Sequence, residues 1–193
     1  MKKLLAILLA VLVAGCASVV KVEGEQVLNN RMSVQLPSAW NRIAANQQPY
    51  ELWTQDGVSI DQLRMWAGVT TGQALVRAPN TPSGQKAPRV PTFVANMTPD
   101  QIVNLFEVMY AVDGSQVRIT RVDPAQFAGE KGVRFEFAVT RKSNDLQLKG
   151  VGWAAVRNNE LFAATFIAPE LAFYRRLLPQ AEGVVATARI KGA

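Results

Sequence analysis

From residue 133 to 140 apolar and polar side chains alternate without a break. Val133, Phe135, Phe137 and Val139 stand against Arg134, Glu136, Ala138 and Thr140. A period of two sends successive side chains to opposite faces, so this stretch is a strand with one buried face. Residues 146–157 and 160–168 follow, separated only by Asn158-Asn159. Asparagine tolerates the left-handed backbone of a tight turn, which makes the pair a hairpin. Glu130-Lys131-Gly132 reads as the turn in front of the first strand. A meander of this kind must bury its apolar face under another layer, and the rest of the chain has to supply that layer.

Upstream, Met32, Val34 and Leu36 alternate with Ser33 and Gln35, giving a strand over 31–36 that Pro37 is expected to stop, with Trp40 covering its end. Residues 50–54 and 58–66 flank Gln55-Asp56-Gly57, a hairpin signal. Val58, Ile60, Leu63 and Met65 do not share one parity, so a bulge near Asp61-Gln62 is expected. Pro79, Pro82, Pro88 and Pro91 make 77–92 a long exposed loop. Thr98-Pro99-Asp100-Gln101 then opens a helix, with a cap, a proline in the first turn and a capping-box glutamine. Ile102, Leu105, Phe106, Met109 and Val112 recur at helical spacing until Asp113-Gly114. A short strand spans 117–122. Pro169 starts a second helix with Leu171, Tyr174, Leu177 and Leu178, which Pro179 should interrupt before Val184, Val185 and Ala188.

Helices that come late and do not alternate with strands indicate an α+β fold with a mostly antiparallel sheet flanked by helices. The order of "MSVQLPSAW", a Trp-bearing hairpin, a helix, a meander and a C-terminal helix resembles the PsbP-like and DcrB-like α/β/α sandwich over roughly residues 30–190. That resemblance implies the fold and, more loosely, a binding or assembly role. Fold alone does not fix function.

The N-terminus carries an address. Lys2-Lys3 precede an apolar run over 4–13, which as a helix spans about 15 Å, half of a roughly 30 Å bilayer core. Small residues and the only cysteine close it: Val13-Ala14-Gly15-Cys16. This resembles the lipobox of bacterial lipoproteins, which implies cleavage after residue 15 and acyl chains, palmitate among them, on Cys16. The organisation expected is a signal peptide over 1–15, a lipidated tether over 16–30 and one α+β domain over 31–193. Ser18 stands where an Asp would favour inner-membrane retention, so the resemblance points to the outer membrane, facing the periplasm.

Absences narrow the chemistry. The chain has no histidine and one cysteine, which removes Ser-His-Asp and Cys-His catalysis, His/Cys zinc sites and internal disulfides. No cofactor, metal site or catalytic residue is expected. The formal charge of +6 falls once Lys2 and Lys3 leave with the signal, and nucleic acid is not an expected partner. From Gln62 through Pro99 there is no acid, while Arg64, Arg77, Lys86 and Arg89 are present. Arg77, Lys86 and Arg89 are therefore candidate contacts to an anionic surface, against the plainer reading of a solvated loop. Trp40, Tyr50, Trp53 and Trp66 are candidates for a ligand groove, against the commoner fate of core packing. Glu51, Asp56 and Asp61 cluster in sequence, but a turn and an exposed edge account for them, and Glu136 lies on a polar face. A glycosidase would need two carboxyls about 5–9 Å apart across a cleft.

The function expected is a non-enzymatic, membrane-anchored envelope lipoprotein. Its partners would be membrane lipid through Cys16 and an envelope protein or anionic surface. A carboxylate hydrolase and a carrier of a small apolar ligand are the alternatives. Cys16→Ala is expected to abolish metabolic labelling by palmitate and to move the protein from the membrane fraction to the soluble one; equal membrane retention would mean that something else holds it.

Overall fold

The computed structural model describes residues 19–44, 47–80, 83–84 and 87–192. The lipobox, Cys16 included, lies outside these residues. Nine strands build one sheet: β1 (Val19–Leu28), β2 (Met32–Ile43), β3 (Glu51–Thr54), β4 (Gln62–Thr70), β5 (Gln116–Phe127), β6 (Glu130–Thr140), β7 (Gln147–Arg157), β8 (Glu160–Pro169) and β9 (Arg189–Ile190). The order across it is β1-β2-β3-β4-β8-β7-β6-β5, with β9 against β2. Each half of the chain folds as a meander of neighbours, and the halves join where β4 pairs antiparallel with β8. Helix α1 (Pro99–Ala111) connects the halves, and helix α2 (Arg175–Ala186) follows β8.

The helices cover opposite faces, so the chain is an α+β sandwich with an antiparallel sheet between two helical layers. On one face Ile102, Leu105, Phe106 and Met109 of α1 pack with Trp66, Phe135 and Phe137. On the other, Leu177, Ala181, Val184 and Val185 of α2 pack with Trp40, Trp53, Trp153, Phe162 and Phe166. The central strands β7 and β8 are thus covered twice, and Ala154, Ala163 and Ala164 are all fully buried. Small residues there let large ones lie flat across the strands. In the β6–β7 register Phe135 faces Gly152 and Phe137 faces Gly150. A Cβ added at Gly152 would meet Phe135 Cζ at 2.2 Å, and one at Gly150 would meet Phe137 Cζ at 2.2 Å. The two glycines are seats for the two rings.

Local signals explain most boundaries. Thr98 Oγ1 accepts from Gln101 N at 3.4 Å and Thr98 N donates to Gln101 Oε1 at 2.9 Å, the reciprocal capping box expected for α1. Asn158 and Asn159, at φ 50° and 63°, make the two-residue β7–β8 turn. The β5–β6 turn is Ala128-Gly129, at φ 52° and 90°, so Glu130–Gly132 already belong to β6 and the turn expected there lies two residues earlier.

Five other expectations are corrected. Residues 19–28, read as part of a tether, form β1 and pair along β2. Pro37 does not stop β2; it sits exposed at a register shift, where a missing N–H costs nothing to the ladder. β4 begins at Gln62 instead of residue 58, because Asp61 closes the preceding loop. Its buried carboxylate accepts from Thr54 Oγ1, Gln55 N and Asp56 N, each at 2.8 Å. Leu171, expected on an apolar face, is 98% exposed, because a π turn over Glu170–Tyr174 shifts the helical phase ahead of α2, which then runs unbroken through Pro179.

The 77–92 stretch is irregular where described, and its neck is tied. Leu75 N donates to Pro91 O at 3.0 Å and Phe93 N to Gln73 O at 2.9 Å, which seats Leu75 and Phe93 in the core. Trp66 Nε1 donates to Leu75 O at 2.9 Å.

Phe135→Ala is expected to cost about 3–5 kcal/mol by chemical denaturation, since the ring is fully buried. Gly152→Ala should cost about 1–3 kcal/mol by displacing the same ring. A loss under about 1 kcal/mol for Phe135→Ala would mean that the ring does not hold the β6–β7 face.

Candidate functional site

The four aromatic groove candidates do not come together. Trp40 and Trp53 are 1% exposed on the α2 face, whereas Trp66 is fully buried on the α1 face. Strand parity divides them: Trp53 pairs with Leu63 and shares its face, and Trp66 lies on the opposite one. Of the four, Tyr50 lines a cavity. The basic candidates divide too. Arg77 lines a cavity and donates from Nη1 to Gln47 Oε1 at 2.5 Å, Arg89 is exposed on the proline-rich loop, and Lys86 lies outside the described residues.

The acids also have structural partners. Glu51 pairs with Arg42 at 2.7 Å, and Asp56 with Arg176. Asp61, expected at an exposed edge, is buried in its turn. Glu136 pairs with Arg134 at 2.8 Å, and the hydrogen bond from that guanidinium holds the carboxyl below the usual range.

What the fold assembles is centred on Arg64. β4 places Arg64 on the α1 face, two residues before Trp66, and pairs it directly with Thr165 of β8. Tyr50 enters β3 on the same side, and Tyr110 comes from the last turn of α1. The guanidinium carbon lies 5.1 Å from the centroid of each tyrosine ring. Such cation–π contacts contribute about 0.5–2 kcal/mol each, more as water is excluded. Nε and Nη2 both donate to Gln62 Oε1, at 3.1 and 2.6 Å. Among the described residues no carboxylate lies within salt-bridge distance of Arg64.

The two tyrosines are the ends of one aromatic chain through the core. Tyr50 contacts Trp66 at 5.2 Å, Trp66 contacts Phe106 at 5.3 Å, and Phe106 contacts Phe135 at 5.2 Å. Phe135 stacks on Phe137 at 5.9 Å, and Phe137 contacts Tyr110 at 4.8 Å. Arg64 closes the circuit. Tyr110 is half-buried, and its hydroxyl reaches inward to fully buried Thr165 Oγ1 at 2.7 Å. Burial raises the pKa of that hydroxyl, against the opposing pull of Arg64 and the Thr165 hydrogen bond, so Tyr110 stays a neutral phenol near neutral pH.

Two cavities meet at this arginine. One, of about 450 Å³, is lined by Tyr50, Arg64, Arg77, Asn80, Tyr110 and Asp113 among others. The second, of about 340 Å³, shares Arg64, Tyr110 and Asp113 and adds Ser59, Ser115 and Arg141. Among the described residues Asp113 is the only acid lining either cavity, against three arginines, and its Oδ1 accepts from Ser115 N at 2.9 Å. The cleft has donors, cationic charge and aromatic walls. It lacks the facing carboxyl pair that glycoside hydrolysis needs. Among the described residues no cluster of metal-ligating side chains occurs.

Sequence reasoning named Arg64 only as one charge of a basic stretch, and it missed Tyr110, Asp113 and Arg141 as members of a site. The available signal was parity: Arg64 stands on the inward face of a strand beside Trp66, where an unpaired cation is out of place.

No family model matches the chain, and no curated protein does. Among solved structures it is similar to the solution structure of cyanobacterial PsbP (CyanoP) from Synechocystis sp. PCC 6803. The likeness has a TM-score of 0.55 and 10% sequence identity, covering 93% of this chain and 96% of that one. At that identity the likeness concerns architecture, and the chain has a PsbP-like fold.

Proposed function

We propose that this chain is a bacterial envelope lipoprotein, anchored by acylated Cys16 on the periplasmic side of the outer membrane, and that it binds another envelope component without catalysing a reaction. The observation that carries the binding role is Arg64, a half-buried cation in contact with the Tyr50 and Tyr110 rings and lining open cavities, with no carboxylate within salt-bridge distance among the described residues. Holding such a charge without a counter-ion disfavours the free protein, and a ligand that neutralises it recovers that energy. The cleft's single carboxylate speaks against a carboxylate hydrolase, and its arginines speak against a carrier of apolar ligands.

The anchor supports the same reading. Three residue steps separate Cys16 from the start of β1 at Val19, a reach of at most about 10 Å. A lipid on Cys16 would hold the folded body directly on the bilayer surface instead of at the end of a long tether. Ser18 at the sorting position supports the outer membrane.

A photo-crosslinking residue placed at Asn80, on the cleft wall, is expected to yield a discrete adduct in living cells. The same residue at Val122, exposed on the edge strand β5, should not, and Arg64→Gln should abolish the Asn80 adduct. Equal yields from both positions, or no adduct from Asn80, would contradict a binding role for the cleft.

A further inference from the structure

We propose that the Arg64 cleft is a binding site for a phosphate-type anion, seated on the free edge of the guanidinium between the two tyrosine rings. This rests on reading the cleft as the protein's binding surface and adds the chemistry of what it takes.

The argument starts from the donors that Arg64 has left. A guanidinium carries five N–H groups in one plane. Gln62 Oε1 takes one from Nε and one from Nη2. Two on Nη1 and one on Nη2 have no acceptor among the described residues. Two of these, one on each Nη, lie along the terminal edge of the fork, which matches two oxygens of a carboxylate or phosphate. Tyr50 and Tyr110 lie at equal distance from the guanidinium carbon, and Gln62 fixes the Nε side. The remaining edge is therefore held in one orientation before any ligand arrives, which lowers the ordering cost of binding.

Charge selects the class of anion. Arg77 lines one cavity beside Arg64, and Arg141 lines the other, with Asp113 the shared acid. Each chamber carries two cations and one anion, so a single ligand charge leaves the pair of chambers still positive. A phosphate ester carries roughly −1.5 to −2 near neutral pH and presents three acceptor oxygens, enough for the Arg64 fork and a second arginine. The side chains that create this excess have few alternatives: Arg77 bonds only the neutral Gln47 through its guanidinium among the described residues, and Arg141 has no acid within salt-bridge distance there. Two chambers of about 450 and 340 Å³ then leave room for the body of the ligand next to its head.

The phosphoryl head can belong to a soluble ester or to a membrane lipid, and one experiment separates these. The lipid-anchored protein, labelled with ¹⁵N at arginine, is placed in nanodiscs of phosphatidylcholine alone, and the Arg64 Nε–H resonance is followed by NMR. Inorganic phosphate and glycerol 1-phosphate are titrated against chloride at matched ionic strength. A second sample contains phosphatidic acid, a lipid phosphomonoester, and no soluble phosphate. A saturable shift with the soluble phosphates alone supports the site with a soluble ligand. A shift in the phosphatidic acid discs, with or without one from the soluble phosphates, supports it with a lipid headgroup. Arg64→Lys, read on the Arg77 and Arg141 Nε–H resonances of the same chambers, keeps the charge and loses the fork, so affinity should fall at least about tenfold, while Arg89→Gln on the outer loop should leave it unchanged. No shift in any sample, an equal shift with chloride, or full affinity in a folded Arg64→Lys protein would overturn the proposal. If the chain proves not to be lipidated, the phosphate titration is run in buffer and reads the site all the same. If the Asn80 adduct depends on Arg64 but no phosphate binds, the binding role stands and the phosphate assignment falls.

Discussion

Arg64 rests against two tyrosine rings that are themselves held by the core. Each neighbour in the circuit from Tyr50 through Trp66, Phe106, Phe135 and Phe137 to Tyr110 is a ring contact of 4.8–5.9 Å. A surface arginine ordinarily samples many rotamers and loses them at a cost on binding. Here the rotamer is set in advance by the same packing that stabilises the sheet. The position of the cation therefore depends on residues far from it in sequence, and on the glycines that let Phe135 and Phe137 lie flat. Core and cleft are one construction, and a change at Gly150 or Gly152 propagates to the cleft through the rings.

The sheet explains why this arrangement sits where it does. β4 and β8 are the seam between the two halves of the chain, and Arg64 and Thr165 are direct partners across it. Helix α1 crosses from one half to the other and delivers Tyr110 to that seam. The cleft is thus made from both meanders and the helix between them, and neither half would hold it alone. The β1–β2 hairpin tip is also tied back onto the same sheet: Asn29 Nδ2 donates to Ala67 O at 3.1 Å, and Arg31 pairs with Glu160. Thr187 Oγ1 takes the place of a strand partner for Gln35, accepting from its N at 2.8 Å and donating to its O at 3.1 Å. These ties make β1 part of the folded body. A lipid on Cys16 would in consequence orient the domain as well as anchor it.

Much of the fold was legible because it is written locally. The alternation of Val133, Phe135, Phe137 and Val139 marked the face that packs on α1, Thr98 and Gln101 marked the helix start, and Asn158-Asn159 marked a turn. What escaped reading depended on partners distant in sequence. β1 has a weak pattern of its own and exists because β2 pairs with it. Asp61 looks like a surface acid until three donors from its own loop surround it. Leu171 follows helical spacing, but a π turn shifts the phase. The site escaped for the same reason: Tyr50, Arg64, Tyr110 and Arg141 lie on four separate segments, and only strand parity at Arg64 hinted that its charge faces inward. The likeness to CyanoP follows from the order and pairing of elements, which 10% identity suffices to preserve; the arginine cleft is a property of these side chains.

The most direct measurement is a double-mutant cycle on folding free energy between Arg64→Met and Tyr110→Leu, read by denaturant titration. If the guanidinium is clamped against the ring, the two changes are coupled by about 0.5–2 kcal/mol. If their effects add to within about 0.3 kcal/mol, the arginine is not held by the tyrosine and the cleft has no fixed cation.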